Sequence, residues 1–499
     1  MIKIILIFMV SVSTVFSMGE KEKLPPNILF IFSDDQCWDT LGKIGGEVLT
    51  PHLDQLVDNG TFFNNAYNSG AWQGAVCMAS RTMLMTGKQL WQAHKYYDEK
   101  QRKASDFWST LFQNNGYETY FTGKWHISRI SPVNIYSFVG TVRPGMPSYS
   151  DPKLGGPFRH DERGAGYFRP LSKDDKSWDP SDPIYGGFWE GGIHWSEATA
   201  DEGIKFIEQA TKSDHPFFMQ IAFNAPHDPR QSPKEYLSMY PLDDISLPKN
   251  YLDEQPHAEV MELSKGMCRD EDLAPFPRNP YSVKKNRQEY FALVTHMDHQ
   301  IGRLLTALEN SGKADNTIII FTSDHGLACG QHGLMGKQNL YEHSVKPPLI
   351  ISGPGIPKGN KVDTLVYMQD IMPTSLEIAE IDIPNHVEFK SLLPVIKGSI
   401  PYESIYGAYK DKQRMVRKND IKLLWYPDDN TWLLFDLKND PLEIDDLSNN
   451  PKYKELLDSM KKELIRQQKK LSDPLLTGHF GNMKAVSYTH LTLPTILPV

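Results

Sequence analysis

Two rhythms of apolar residues alternate along this chain. Runs at residues 28–32, 118–122, 217–222, 317–322 and 349–351 read as strands, and the first is apolar throughout, as in a strand buried on both faces of a parallel sheet. Between them, apolar residues return at helical spacing. Pro51 at a first helical position, with Leu53, Leu56 and Val57 on one face, predicts a helix after Thr50. Residues 79–86 predict another, stopped by Gly87. Ser105 is the expected cap of a helix that carries Phe107, Trp108, Leu111 and Phe112 and ends near Gly116. Further helices are expected at 196–209 and at 284–310, the second with Leu293, Met297, Ile301, Leu304, Leu305 and Leu308 in step.

Strands alternating with helices imply an α/β fold with a large, mainly parallel sheet sandwiched by helices. Residues 131–195 are rich in Gly, Pro and aromatics with weak periodicity, and read as long surface loops. After residue 400 the pattern changes. Short strands at 404–409, 421–426 and 432–436 and a helix at 452–471 predict a small antiparallel sheet with one covering helix. The expected organisation is a large domain over 25–399 and an α+β subdomain over 400–484.

Both acidic pairs that matter fall just past apolar strands, where open α/β sheets place ligand sites. Asp34-Asp35 follows the first strand and Asp324-His325 follows the fourth. One acidic pair alone is more often a helix cap or a solvated turn. If the two strands are sheet neighbours, the three carboxylates brought together repel one another unless a cation lies between them. Oxygen-rich clusters favour calcium or magnesium, while His325 leaves manganese or zinc open.

At 499 residues the chain exceeds one compact core. Its net charge of -9 leaves no basic footprint for nucleic acid, and a polyanionic substrate needs a local basic pocket. Lys3 and the apolar run at 4–12 read as a secretory signal peptide over residues 1–17, which implies a secreted or periplasmic protein. That run is short for a membrane span, and no later segment suits one. Residues 485–495, AVSYTHLTLPT, resemble the translation of a sequencing-library adapter, so 485–499 are set aside as foreign. The four cysteines, Cys37, Cys77, Cys268 and Cys329, are too few for a disulfide framework. A Cys37–Cys329 disulfide is open, with buried thiols the expectation.

The segment from Cys77 to Gly87, CMASRTMLMTG, resembles the signature of formylglycine-dependent (type I) sulfatases: Cys-x-Pro/Ala-Ser-Arg, a spacer, then Thr-Gly. Further matches follow in family order: Gly123-Lys124-Trp125-His126, Ala225-Pro226-His227, Thr322-Ser323-Asp324-His325-Gly326, Gly336-Lys337, and Phe435-Asp436-Leu437 before Asp440-Pro441. The resemblance covers about residues 25–475 and implies an alkaline phosphatase-like fold, with 25–399 as the sulfatase domain. It implies that Cys77 is oxidised to formylglycine by a maturation enzyme, and that Asp34, Asp35, Asp324, His325 and the modified Cys77 bind one calcium ion. It implies that Arg81 stabilises the aldehyde hydrate and that Lys124 and Lys337 bind sulfate oxygens. His126 would take a proton from the hydrate, and His227 would protonate the departing alcohol. Two departures stand out. Ala79 and His325 occupy positions where many members have Pro and Asn.

The aromatic and basic stretch at 159–195 makes a sulfated carbohydrate the expected substrate, with Arg163, Trp189 and His194 as candidate contacts. His332 and Gln338 flank the late lysine and are candidates too. Residues 331–344 resemble bacterial polysaccharide sulfatases. Two alternatives stay open: a phosphodiesterase or phosphonate monoester hydrolase of the same superfamily, and a sulfated-glycan binding protein whose Cys77 stays unmodified.

Overall fold

The computed structural model describes residues 25–97, 100–147, 158–161, 164–167, 172–176 and 178–477. The run after Pro25-Pro26 forms strand β1, Asn27–Ser33, buried along its whole length. Its side chains alternate between two cores, as the period of two requires. Ile28, Phe30 and Phe32 face one cluster, while Leu29 and Ile31 face the other.

Seven further strands complete the large sheet: β2 Gly60–Phe63, β3 Glu118–Lys124, β4 Phe138–Arg143, β5 Phe217–Ala222, β6 Thr317–Ser323, β7 Leu349–Ser352 and β8 Asn360–Val362. Their order is β8-β2-β7-β6-β1-β5-β3-β4. Pairing is parallel except at β7, which runs against both β6 and β2. The sheet is therefore mostly parallel, as expected. Three of its strands lie outside the sequence reading. Strands β2 and β8 are short, and β4 lies within residues read as loops. Strand β4 is an edge strand with only partial burial, so its composition carries little apolar signal.

Helices cover both faces. On one lie α1 Pro51–Asp58, α3 Trp195–Ala210 and α4 Pro280–Asn310. Leu293, Met297, Ile301, Leu304 and Leu308 of α4 are fully buried, each worth about 1.5–3 kcal/mol of transfer free energy. On the other face lie α2 Val76–Thr86 and a short helix at Trp108–Gln113. Helix α2 begins three residues earlier than expected and ends at Gly87, whose φ of 66° is left-handed. Ser105 does not cap its helix. It sits in a preceding 3-10 turn and donates to Asp106. Cys37 and Cys329 are buried thiols rather than a disulfide, and the Cys37 thiol donates to Leu327 O at 3.0 Å.

A second, mainly antiparallel sheet contains β9 Ile405–Tyr409, β10 Gln413–Lys418, β11 Ile421–Tyr426 and β12 Thr431–Asp436, with α5 Lys454–Leu471 against it. Strand β10 carries only two apolar residues, Met415 and Val416, flanked by Gln, Arg and Lys, so it gave no apolar signal, yet it is buried over most of its length. The expected boundary at residue 400 is crossed here. Gly70–Ala71, six residues before Cys77, pairs in parallel with β9 as a fifth strand. Gly70 has φ 84°, and a Cβ there would lie 2.0 Å from Ala408 O, so only glycine fits. A buried ionic network adds a second tie. Lys422 reaches Glu342 at 2.9 Å and Glu443 at 2.7 Å, and Arg417 reaches Glu342 at 3.4 Å.

Candidate active site

Strands β1 and β6 lie side by side with Ser33 opposite Ser323, so Asp34-Asp35 and Asp324-His325 emerge together. The backbone is shaped to hold them. Asp35 adopts φ 68°, a costly conformation for a non-glycine residue, and its N–H donates to Asp324 Oδ1 at 3.1 Å. Tyr290 of α4 donates to Asp35 O at 2.8 Å. The carbonyl of Asp324 accepts from Ser80 Oγ at 2.8 Å and from Asn68 Nδ2 at 2.6 Å.

Ser80 thereby docks α2 onto the end of β6. Cys77 and Arg81 are four residues apart, hence on one face of α2. The Cys77 thiol lies 3.6 Å from Asp35 Oδ1, and Lys337 Nζ donates to it at 3.0 Å. Arg81 donates from Nε to Asp324 Oδ2 at 3.0 Å and from Nη1 to Lys124 O at 2.8 Å, with Phe32 against its guanidinium. Lys124 leaves the end of β3, just after Gly123, where φ is 99° and a Cβ would overlap Ala222 O at 1.8 Å. That glycine lets the strand bulge and turn Lys124 onto Asp34. His126 follows with φ 53°, and Gly145 lies so close that a Cβ would meet its ring at 2.7 Å. From the end of β5, His227 places Nε2 3.6 Å from Asp35, while its Nδ1 meets Asp228 O at 2.7 Å and Asp228 Oδ1 at 3.0 Å.

All of these side chains are buried except His126, which is partly buried. Three carboxylates face three permanent cations: Lys124 pairs with Asp34, Lys337 with Asp35, and Arg81 with Asp324. Burial raises the Asp34 and Asp35 carboxyls, with the nearby Asp324 and Cys77 charges adding to the effect on Asp34. Burial also pushes the Cys77 thiol up, but Lys124, Lys337 and His325 outweigh it and hold the thiol well below its ordinary range. Burial lowers His126 to about 4, helped by Lys124 and Arg81. For His227 and His325 burial is outweighed by carboxylates, which raise them to about 10 and about 9.

Asp35, Cys77, Asp324 and His325 offer ligand atoms within 4.8 Å of one another. Asp34 Oδ1 and His325 Nε2 are buried without a hydrogen-bond partner. A hard divalent cation satisfies both needs, since it neutralises the carboxylates and takes up unpartnered donors.

The flanking candidates have other surroundings. His194 caps α3: Nδ1 accepts from Ser196 N at 3.0 Å and Nε2 meets Gln231 O at 2.8 Å, which leaves no ring nitrogen for a ligand. His332 is buried in a stack on Tyr341, with ring centroids 4.0 Å apart, and contacts Asn250 Nδ2. Both expectations of substrate contact are therefore revised to packing roles. Gln338 donates to Asp270 Oδ2 at 2.8 Å and accepts from Lys337 N, so it supports the lysine from behind. Trp189 is half-buried on a hairpin that Glu190 ties to Arg143, the register partner of Lys124. Arg163 lies outside the described residues, as do the expected signal peptide and the tail at 485–499. Sequence reading missed Asp228, Tyr290 and Asp270. Only Asp228 left a signal, as a carboxylate beside a candidate acid.

Carboxylates, lysines and histidines converging at strand ends of such a sheet define a hydrolase of the alkaline phosphatase-like superfamily. The sulfatase family model matches residues 26–381, and a model described as N-sulphoglucosamine sulphohydrolase, C-terminal, matches 330–470. The chain belongs to the sulfatase family and is a sulfuric ester hydrolase. An arylsulfatase of Clostridium perfringens is 31% identical over 476 residues, covering 89% of this chain and 94% of its own. An N-acetylglucosamine-6-O-sulfatase of Bacteroides thetaiotaomicron is 27% identical, covering 91% and 88%. Among solved structures, BT4656 with its substrate D-glucosamine-2-N,6-O-disulfate superposes with a TM-score of 0.67 at 22% identity, over 90% of this chain and 98% of that one. The phosphonate monoester hydrolase of Silicibacter pomeroyi gives 0.68 at 21%, over 91% and 97%. Among the described residues no helix is long and apolar enough to cross a membrane.

Proposed function

We propose that this enzyme removes sulfate from a sulfated carbohydrate, with Cys77 matured to formylglycine and one calcium ion held by Asp34, Asp35, Asp324, His325 and residue 77. The observation that carries this reading is the placement of Cys77 Sγ, 3.0 Å from Lys337 Nζ and 3.6 Å from Asp35 Oδ1 in a buried, charge-paired centre. Formylglycine supplies a hydrated aldehyde, one hydroxyl to attack sulfur and one to expel sulfate. A bound calcium ion supplies positive charge at that centre.

The chain's own residues do the rest. Lys124 and Lys337 bind sulfuryl oxygens, where negative charge grows in the transition state. Arg81, fixed by Asp324 and Lys124 O, faces residue 77 from the same helix and stabilises its anionic form. His126, held neutral near pH 7, takes a proton from the hydrate at residue 77. His227, held charged by Asp228 and Asp35, delivers a proton to the departing alcohol. Trp189 offers an aromatic face for a sugar ring beside the strand that ends in Lys124.

The named relatives support a sugar sulfate, since they include an N-acetylglucosamine-6-O-sulfatase and a human iduronate 2-sulfatase at 30% identity over 66% of this chain. The apolar run at 4–12 favours export, and a formylglycine-generating or anaerobic maturation enzyme is the partner in biogenesis. The decisive experiment co-expresses the chain with a maturation enzyme, measures the mass of the Cys77 peptide, and screens sulfated glycans for released sulfate. A matured protein that releases no sulfate, or that turns over phosphonate monoesters faster, would overturn the reading.

A further inference from the structure

Behind His227 lies a chain of contacts that the chemistry above does not use. His227 Nδ1 meets the Asp228 carbonyl oxygen at 2.7 Å and the Asp228 carboxylate Oδ1 at 3.0 Å. Arg269, on the loop before Glu271–Leu273, reaches both Asp228 oxygens at 3.5 Å from Nη2. The same guanidinium donates from Nε to Asp270 Oδ1 at 2.7 Å. The other Asp270 oxygen accepts from Gln338 at 2.8 Å, and Gln338 Oε1 accepts from Lys337 N at 3.0 Å. One arginine thus spans two carboxylates, one behind the histidine and one behind the lysine. Asp228 and Asp270 are buried, whereas about a third of the Arg269 side chain, 31%, meets solvent.

We infer that Arg269 is a positioning residue. It bridges Asp228 and Asp270, and so fixes the His227 ring with Nε2 toward the reacting centre at the proper distance from Lys337. Two buried carboxylates this close repel, and without a shared cation Asp228 swings off Nδ1. The planar guanidinium holds two carboxylates in fixed relative positions, which an ammonium on a flexible stem does not. Asp228 Oδ2 has no hydrogen-bond partner, so the arginine is what retains that oxygen. The inference rests on the reading that His227 protonates the leaving alcohol.

The test uses the matured full chain and two substrates, an unactivated sugar sulfate and an activated aryl sulfate whose phenolate leaves without a proton. Arg269→Met should lower kcat on the sugar sulfate by about 10²-fold, the low end for loss of a positioned acid, and lower it on the aryl sulfate by less than about 3-fold. KM should change little. Arg269→Lys should restore only part of the loss. Arg269→Met combined with Asp228→Asn should be no slower than Asp228→Asn alone, because the arginine acts through that carboxylate. Equal slowing on both substrates, or multiplying effects in the double variant, overturns the inference. Wild-type enzyme inactive on both substrates overturns the proposed function instead.

Discussion

Replacing Arg81 with Met puts the electrostatic account of the centre at risk. The substitution removes the guanidinium that lies over Phe32, and with it the Nε donor to Asp324, 3.0 Å away, and the Nη1 donor to Lys124 O, 2.8 Å away. Asp324 is then a buried carboxylate left with the N–H groups of Asp35 and His325, each at 3.1 Å, and the His325 imidazole at 3.9 Å. Breaking a buried pair from one side costs about 3–5 kcal/mol, because the surviving charge stays desolvated. For the roughly 430 described residues, an unfolding entropy of about 2 cal/mol/K per residue turns this into a Tm drop of about 3–6 °C. Losing one charge that stabilises the anionic nucleophile should also lower kcat by about 10²–10³-fold. Arg81→Lys should recover part of the stability but little activity, since one ammonium cannot reach both acceptors. Scanning calorimetry and sulfate release read the two effects. A Tm within about 1 °C of wild type would show that the remaining partners of Asp324 suffice, and would refute Arg81 as the counter-charge that stabilises it.

Three more outcomes follow from named contacts. Calcium at about 100 times its Kd should stabilise the wild type by about 2.7 kcal/mol, and Asp324→Asn should lose most of that Tm increase; an undiminished rise would place the ion elsewhere. Asp370 is raised to about 7, chiefly by burial, against hydrogen bonds from Tyr402 and the Tyr367 and Lys390 N–H groups. Its folded pKa thus exceeds its unfolded value, so its stabilising protonation is complete at low pH and lost as pH rises through about 7; Tm should fall over that interval, and less steeply in Asp370→Asn. Gly123→Ala should pry β3 from β5 next to Lys124, lowering Tm and sulfate release together. Normal activity would mean that the close approach of Gly123 to Ala222 O is not what places the lysine.

Much of this protein was written locally. An apolar run followed by two acids needs only its own composition to signal a strand end with a ligand site, so Asp34, Asp35, Asp324 and His325 were legible along with the α/β alternation. Cys77 and Arg81 were legible through the resemblance of their segment to the sulfatase signature, whereas their placement on one helical face was not, because the expected helix began only at residue 79. What the sequence left open depends on partners distant in the chain. Strand β4 is half-exposed and takes its register from β3, and β10 hides its burial behind Arg414 and Arg417, which pair with Asp473 and Glu342. His194 and His332 share the residue type of His126 and His227, and only their neighbours separate a helix cap and a ring stack from a reacting centre. Asp270 joins the site through Arg269 and Gln338. No spacing rule announces such a bridge, because hydrogen bonds and ion pairs depend on distance in space, which the chain fixes only once it has folded.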